Sequence, residues 1–216
     1  TFRDVNIALA NEFAVIAEKL GIDIYEAISL ANRHPRVKFL MPGPGVGGHC
    51  IAIDPYFIIQ STPDEAQLIK LAREINSSMP QHVLTLFEAL VQEAKDASKR
   101  IQTVGMLGAS YKANVGDERE SPALEIAGLI QGRGYEVVIH DPYIQQFAEI
   151  PLQEVVRRAD ALIMLTDHEV YRTQLTPETV MAMAGDDILW ILDTRGFFDS
   201  QWDTEGYRVK RLGVGN

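Results

Sequence analysis

One cysteine, Cys50, closes the stretch MPGPGVGGHC, and an aspartate, Asp54, follows four residues later. A thiolate is a strong nucleophile near neutral pH, so this pair is the first candidate for covalent chemistry. Glycines at 43, 45, 47 and 48 let the backbone approach a ligand closely and turn its amides towards it. A helical turn starting just after Cys50 would place the thiol at a helix amino terminus, where the dipole favours the charged form. Asp54 would then share its face and orient a water or a base, with Pro55 limiting that helix. A lone cysteine is more often a small buried hydrophobe, but a core residue has no use for so many neighbouring glycines. His49 adjoins the thiol, yet neighbours on a turn point apart, which ranks a cysteine–histidine hydrolase low.

Three further groups suit anions. NRHPRVKF carries His34, Arg36 and other cations in one short turn just before the glycine stretch, suited to a phosphate or carboxylate or simply to solvent. GASYKANVGDERESP carries Tyr111, Lys112, Asp117, Arg119 and Glu120. A lysine, an arginine and an aromatic ring are what a nucleotide diphosphate and its base require, although a solvated capping loop has similar composition. Arg195, in DTRG, ends an apolar strand and is placed to meet an anion.

The composition excludes several classes. A formal charge of -10 over 216 residues, spread along the chain, argues against a nucleic-acid partner. No apolar run reaches the roughly 18–20 residues of a membrane span, and no signal peptide opens the chain. A single cysteine forms no internal disulfide and suits a cytoplasmic setting. The histidines, at 34, 49, 82, 140 and 168, make no metal-ligand pair.

These groups must be positioned by two kinds of element. The first 96 residues read as helical. An opening helix over 2–20 has an apolar stripe (Phe2, Val5, Leu9, Phe13, Ile16, Leu20), which residues 22–96 do not fully cover, and stops at Gly21. A second helix is capped by Asp23. A long helical stretch from Pro63 to Ala97 should be kinked or divided at Pro80. From residue 97 apolar strands (RIQTVGMLG, YEVVIHDP, DALIMLT, DILWILDTRG) alternate with helices, with YRVKRLG as an edge strand. That alternation predicts an α/β fold, a small doubly wound, Rossmann-like parallel sheet over 97–216 behind a helical unit over 1–96. Ligands of such sheets bind at the carboxyl ends of the strands. Asp141, ending the second strand, is placed like the acid that holds a ribose in dinucleotide folds. GMLGASYK, however, is not GxGxxG, so a full NAD is not expected on this sheet.

PGPGVGGHCIAIDP, SYKANVGDERESPALEI, HDPY and DTRG together closely resemble the UDP-glucose/GDP-mannose dehydrogenase family, along the whole chain. The resemblance implies oxidation of a sugar C6 alcohol in two steps with NAD as cofactor. It makes Cys50 the nucleophile, through a thiohemiacetal and a thioester, with Asp54 assisting. Arg3, His34, Arg36, Gly47, Tyr111 and Lys112 match positions that contact the UDP-sugar substrate, the His34–Arg36 turn reaching across a homodimer formed through the opening helix. Arg119 matches a position that touches NAD. RHPR and GGHCIAIDP are most similar to the branch acting on UDP-N-acetylmannosamine, with UDP-glucose, GDP-mannose or a non-catalytic sugar-nucleotide-binding dimer as alternatives. The family's catalytic lysine, a partner asparagine and the NAD domain lie upstream of Thr1, so the chain is read as a fragment.

Overall fold

The computed structural model describes residues 1–185 and 188–215. Four helices come first: α1 (Phe2–Leu20), α2 (Ile24–Ala31), α3 (Asp54–Ser61) and α4 (Gln67–Asp96). Gly21, at φ 69°, stops α1 in the left-handed conformation glycine adopts without strain. Asp23 caps α2 by accepting from the Tyr25 and Glu26 amides.

The face of α1 turned to α4 consists of Asp4, Ala8, Ala10, Asn11, Ala14 and Ala17, all buried. Small side chains let the two helices approach. The larger apolar residues face outward, with Phe2 at 84% exposure and Leu20 at 65%, and although Phe13 packs edge-on against Phe39 the stripe is not fully covered in one chain, as the sequence suggested. Pro80 lies inside α4 without dividing it, which removes division from that reading. The carbonyl left without a helical donor by Pro80, that of Asn76, lies towards Gly45 of the glycine loop rather than in an apolar core. Pro55 likewise does not end α3; it sits in the first turn, where its missing N–H costs nothing.

The sheet follows: β1 (Thr103–Leu107), α5 (Pro122–Gly132), β2 (Glu136–His140), α6 (Gln145–Ala148), α7 (Leu152–Arg158), β3 (Ala161–Met164), α8 (Glu169–Gln174), α9 (Pro177–Ala184), β4 (Leu189–Asp193) and β5 (Tyr207–Arg211). The strand expected over DILWILDTRG would have included Asp187, which lies outside the described residues. All pairings are parallel, in the order β2-β1-β3-β4-β5. One face is covered by α4 and α5, around Val83, Leu84, Phe87, Ile126 and Ile130. The other is covered by α7, α8 and α9, around Val155, Tyr171 and Val180. The carboxyl half of α4 therefore belongs to the sheet's core as much as to the helical unit.

The chain also returns to that unit. After β5, Gly213 O accepts from Ile24 N (2.9 Å), Gly213 N donates to Glu18 Oε1 (2.8 Å) and Gly215 N donates to Ile22 O (3.1 Å). Asp23 and Val214 form an antiparallel bridge beside them.

Candidate active site

Strand order reverses between β1 and β3, and at such a point the loops leaving the two carboxyl ends part to form a crevice. The glycine loop crosses this edge. Between it, α1 and the strand ends lies a cavity of about 270 Å³. Arg3 enters from α1, Gly43, Gly45 and Gly47 from the loop, Tyr111 and Lys112 from the β1–α5 connection and Arg195 from the end of β4. Ile7, Leu40, Met41, Val46 and Ile51 supply apolar wall. Cations on one side and aliphatic surface on the other suit a phosphorylated ligand with a carbon skeleton.

Close approach explains the loop's composition. A Cβ on Gly47 would collide with the Glu120 carbonyl and stand 2.8 Å from Tyr111 Cβ. Gly48, at φ 87°, lies 2.8 Å by the same measure from the Tyr111 ring, and its N–H donates to Arg119 O (3.1 Å). Glu120 is itself left-handed, at φ 51°, an uncommon state for a side chain of its size. At the other end, Arg195 Nη1 occupies the space a side chain on Gly43 would need.

The connection bearing Tyr111 and Lys112 is anchored by Asp141, and here the ribose expectation is overturned. Asp141 is fully buried; its Oδ2 accepts from Ala109 N, Ser110 N, Ser110 Oγ and His168 Nε2, and its Oδ1 from Tyr143 N. Burial raises its pKa, but these donors outweigh that and hold the carboxyl well below the usual range. Both oxygens are already bonded and neither reaches the surface, so the carboxylate is not open to a ribose. His168 Nδ1 accepts from Asn114 N (2.9 Å), which places its proton on Nε2, facing Asp141. Arg195 is fixed similarly: its N–H donates to Asp193 Oδ1 (2.8 Å) and its Nε to Asp167 Oδ1 (3.0 Å).

The other expected residues lie around this cavity. Cys50 is exposed, beside the cavity residue Ile51, and its carbonyl accepts from Asp54 N (2.8 Å) in the turn leading into α3. Asp54 is exposed at the start of that helix. Arg36 lines a second, larger depression of about 620 Å³ that shares Arg3 and Leu40 with the first. His34 is exposed, its Nδ1 accepting from Arg36 N. Arg119 stands outside the cavity, clasping Asp117 through Nε and Nη2; its guanidinium pulls that half-buried carboxyl down to about 2. Asp167 was not anticipated, nor were Ile7, Leu40 and Met41. A carboxylate one turn from a strand end has no sequence signature until the facing arginine is known.

The sheet does not fit a dinucleotide. A long connection and a Ser121–Pro122 cap stand where a glycine-rich turn would meet the helix, and Asp141 is consumed. Arg119, expected to meet such a group, is exposed. Among the described residues no cluster could hold a metal ion, and no helix is long and apolar enough to cross a membrane.

Residues 1–78 match the central domain of the UDP-glucose/GDP-mannose dehydrogenase family, and residues 105–200 match its UDP-binding domain. The chain belongs to this family. UDP-N-acetyl-D-mannosamine dehydrogenase of Methanocaldococcus jannaschii is 44% identical over 220 residues, spanning 100% of this chain and 49% of the relative. NDP-N-acetyl-D-galactosaminuronic acid dehydrogenase of Ralstonia nicotianae is 39% identical, over 93% of this chain and 46% of its own. The solved UDP-D-ManNAc dehydrogenase of Pyrococcus horikoshii superposes with a TM-score of 0.87 at 36% identity, covering 99% of this chain and 50% of that one. The chain thus spans about half the length of these nucleotide-sugar dehydrogenases. Its α/β architecture is that of the family.

Proposed function

We propose that this chain is the substrate-holding part of an NAD-dependent dehydrogenase that converts UDP-N-acetylmannosamine to its uronate, and that it works in the cytoplasm as a homodimer. The observation that carries the reading is the convergence of Arg3, Lys112 and Arg195 with Tyr111 and the glycine loop on one cavity beside the sole thiol. The cations hold the diphosphate, Tyr111 and the aliphatic wall hold carbon surface, and residues 97–216 form the UDP-binding unit.

A first hydride removal turns the C6 alcohol into the aldehyde, which Cys50 attacks to form a thiohemiacetal; a second hydride removal from that carbon gives a thioester, which water hydrolyses to the carboxylate and the free thiol. Asp54, one turn on from Cys50, orients the water. NAD, when bound, would supply the hydride acceptor at each of the two oxidations, and Arg119 is the residue of this chain that would face it. The uncovered stripe of α1 packs against a second copy within residues 1–96, which brings the His34–Arg36 turn to the partner's substrate and its new carboxylate.

Calorimetric titration of the chain with UDP and with UDP-N-acetylmannosamine tests the binding half. Micromolar affinity, lost in Lys112→Ala, is expected; absence of heat with either ligand overturns it. In the complete enzyme, a higher kcat/KM for UDP-glucose than for UDP-N-acetylmannosamine would overturn the substrate branch.

A further inference from the structure

Buried polar side chains that this chemistry does not use run in a single line from α4 through α1 to the glycine loop. Arg73 Nη1 donates to Asp4 Oδ1 at 2.6 Å, and Asn76 Nδ2 donates to the same oxygen at 2.9 Å and to Asp4 O at 3.0 Å. Asn11 Nδ2 donates to Asn76 Oδ1 at 2.9 Å, and Asn11 Oδ1 accepts from Gly43 N at 2.9 Å. Exposures are 0% for Asp4 and Asn11, 1% for Asn76 and 6% for Arg73.

The surrounding helix contact is made of alanines, and more alanine or leucine would hold α1 on α4 without desolvating an ion pair and two amides. What the polar line adds is direction. A carboxylate only accepts, so Asp4 obliges Asn76 to present its amino group there and its oxygen to Asn11. Asn11 must then offer its own amino group to Asn76 and its oxygen to Gly43. Every amide has one orientation, and the line ends on a single backbone N–H. Gly43 is the residue over which Arg195 lies, with no room for a side chain between them.

We propose that Asn11 and Asn76 are positioning residues of the cavity: they carry the hydrogen-bond polarity set by the Asp4–Arg73 pair to Gly43 and hold the loop against Arg195, in register with the cations. Its ligand consequence rests on the nucleotide-sugar reading; the loop consequence does not.

Two measurements on the 216-residue chain separate these: hydrogen exchange at the Gly43 amide, and calorimetric affinity for UDP. Asn11→Leu removes both amide bonds at similar volume. Gly43 should then exchange at least about tenfold faster while mid-α4 amides keep their protection, and UDP affinity should fall about tenfold. Asn76→Asp sets a second carboxylate against Asp4 and should reproduce the loss. A merely stabilising core contact would move Gly43 and α4 exchange together. Unchanged Gly43 exchange in Asn11→Leu overturns the proposal. If that variant does not fold, unchanged Gly43 exchange in Asn76→Asp overturns the proposal. A wild-type chain with a protected Gly43 but no affinity for UDP overturns the functional reading and its ligand consequence while leaving the positioning of the loop intact.

Discussion

Gly47→Ala probes the fit between the glycine loop and the β1–α5 connection. The added methyl meets the Glu120 carbonyl, Tyr111 Cβ at 2.8 Å and Pro122 Cδ at 2.9 Å. Carbon contacts are comfortable at about 3.5–4.0 Å, so the walls must part by roughly 1 Å. None of the three is the tip of a flexible side chain. Glu120 already holds φ 51° and has no easy rotation left. Overpacking of this kind costs about 1–3 kcal/mol. At roughly 2–4 °C per kcal/mol for a chain of this size, the thermal midpoint falls by several degrees. The shift also carries Tyr111 and its neighbour Lys112 out of register. Loss of one charge-assisted contact, about 1.5–3 kcal/mol, lowers UDP affinity by tenfold or more. Gly128→Ala is the control: nothing lies within 4 Å of its Cβ position in α5, so it should stabilise by about 0.5–1 kcal/mol. Scanning calorimetry and UDP titration read both variants. A Gly47→Ala chain with unshifted midpoint and full UDP affinity would refute the close fit.

Asp167→Asn should weaken UDP binding only severalfold, because its pair with Arg195 is partly exposed and worth about 0.2–1 kcal/mol; an unchanged Kd would mean that Arg195 needs no such anchor. Burial lowers the His140 pKa despite the nearby Asp141 carboxylate, so below roughly pH 6.5 the unfolded chain takes up a proton that the native one resists. Stability is therefore full above that pH and declines as pH falls, with a second loss below about pH 4 as the depressed Asp141 carboxyl is titrated. Denaturant midpoints measured across pH check this, and a flat profile from neutrality to pH 4 would contradict it. Phe13→Glu on the exposed stripe of α1 should yield a monomer in sedimentation; a dimer that persists places the interface elsewhere.

Much of this was legible because its signals are local. Strand–helix alternation with apolar runs foretold the parallel sheet, and Asp23, Gly21 and Ser121–Pro122 mark helix ends by their own chemistry. Arg3, Gly47, Tyr111 and Lys112, which the family resemblance names together, and Arg195, marked by its strand end, converge on one cavity. Misreadings arose where long-range partners decide. Asp141 has the type and position of a ribose ligand, but His168 and the Ala109–Ser110 amides claim it from other segments. Pro80 reads as a kink or a division of the helix, and packed residues on both sides of it belong to one continuous α4. Asp4 and Asn11 lay on the polar side of a pattern defined by Phe2, Leu9 and Phe13. In the structure that polar side is the buried one, because alanines share it and the bulky residues face out.

The tail from Gly213 to Gly215 changes how the molecule can deform. Two bodies joined by a single connector swing on it, but here α4 leads out of the helical unit and the tail leads back, making a closed linkage. A linkage fixed at two separated points has little rotational freedom, and opening it strains both attachments at once. Any widening of the cavity then comes from the loops that line it rather than from the two bodies gaping. The last few residues of the chain, remote from any reacting group, thereby set the stiffness of the frame in which the cavity is held.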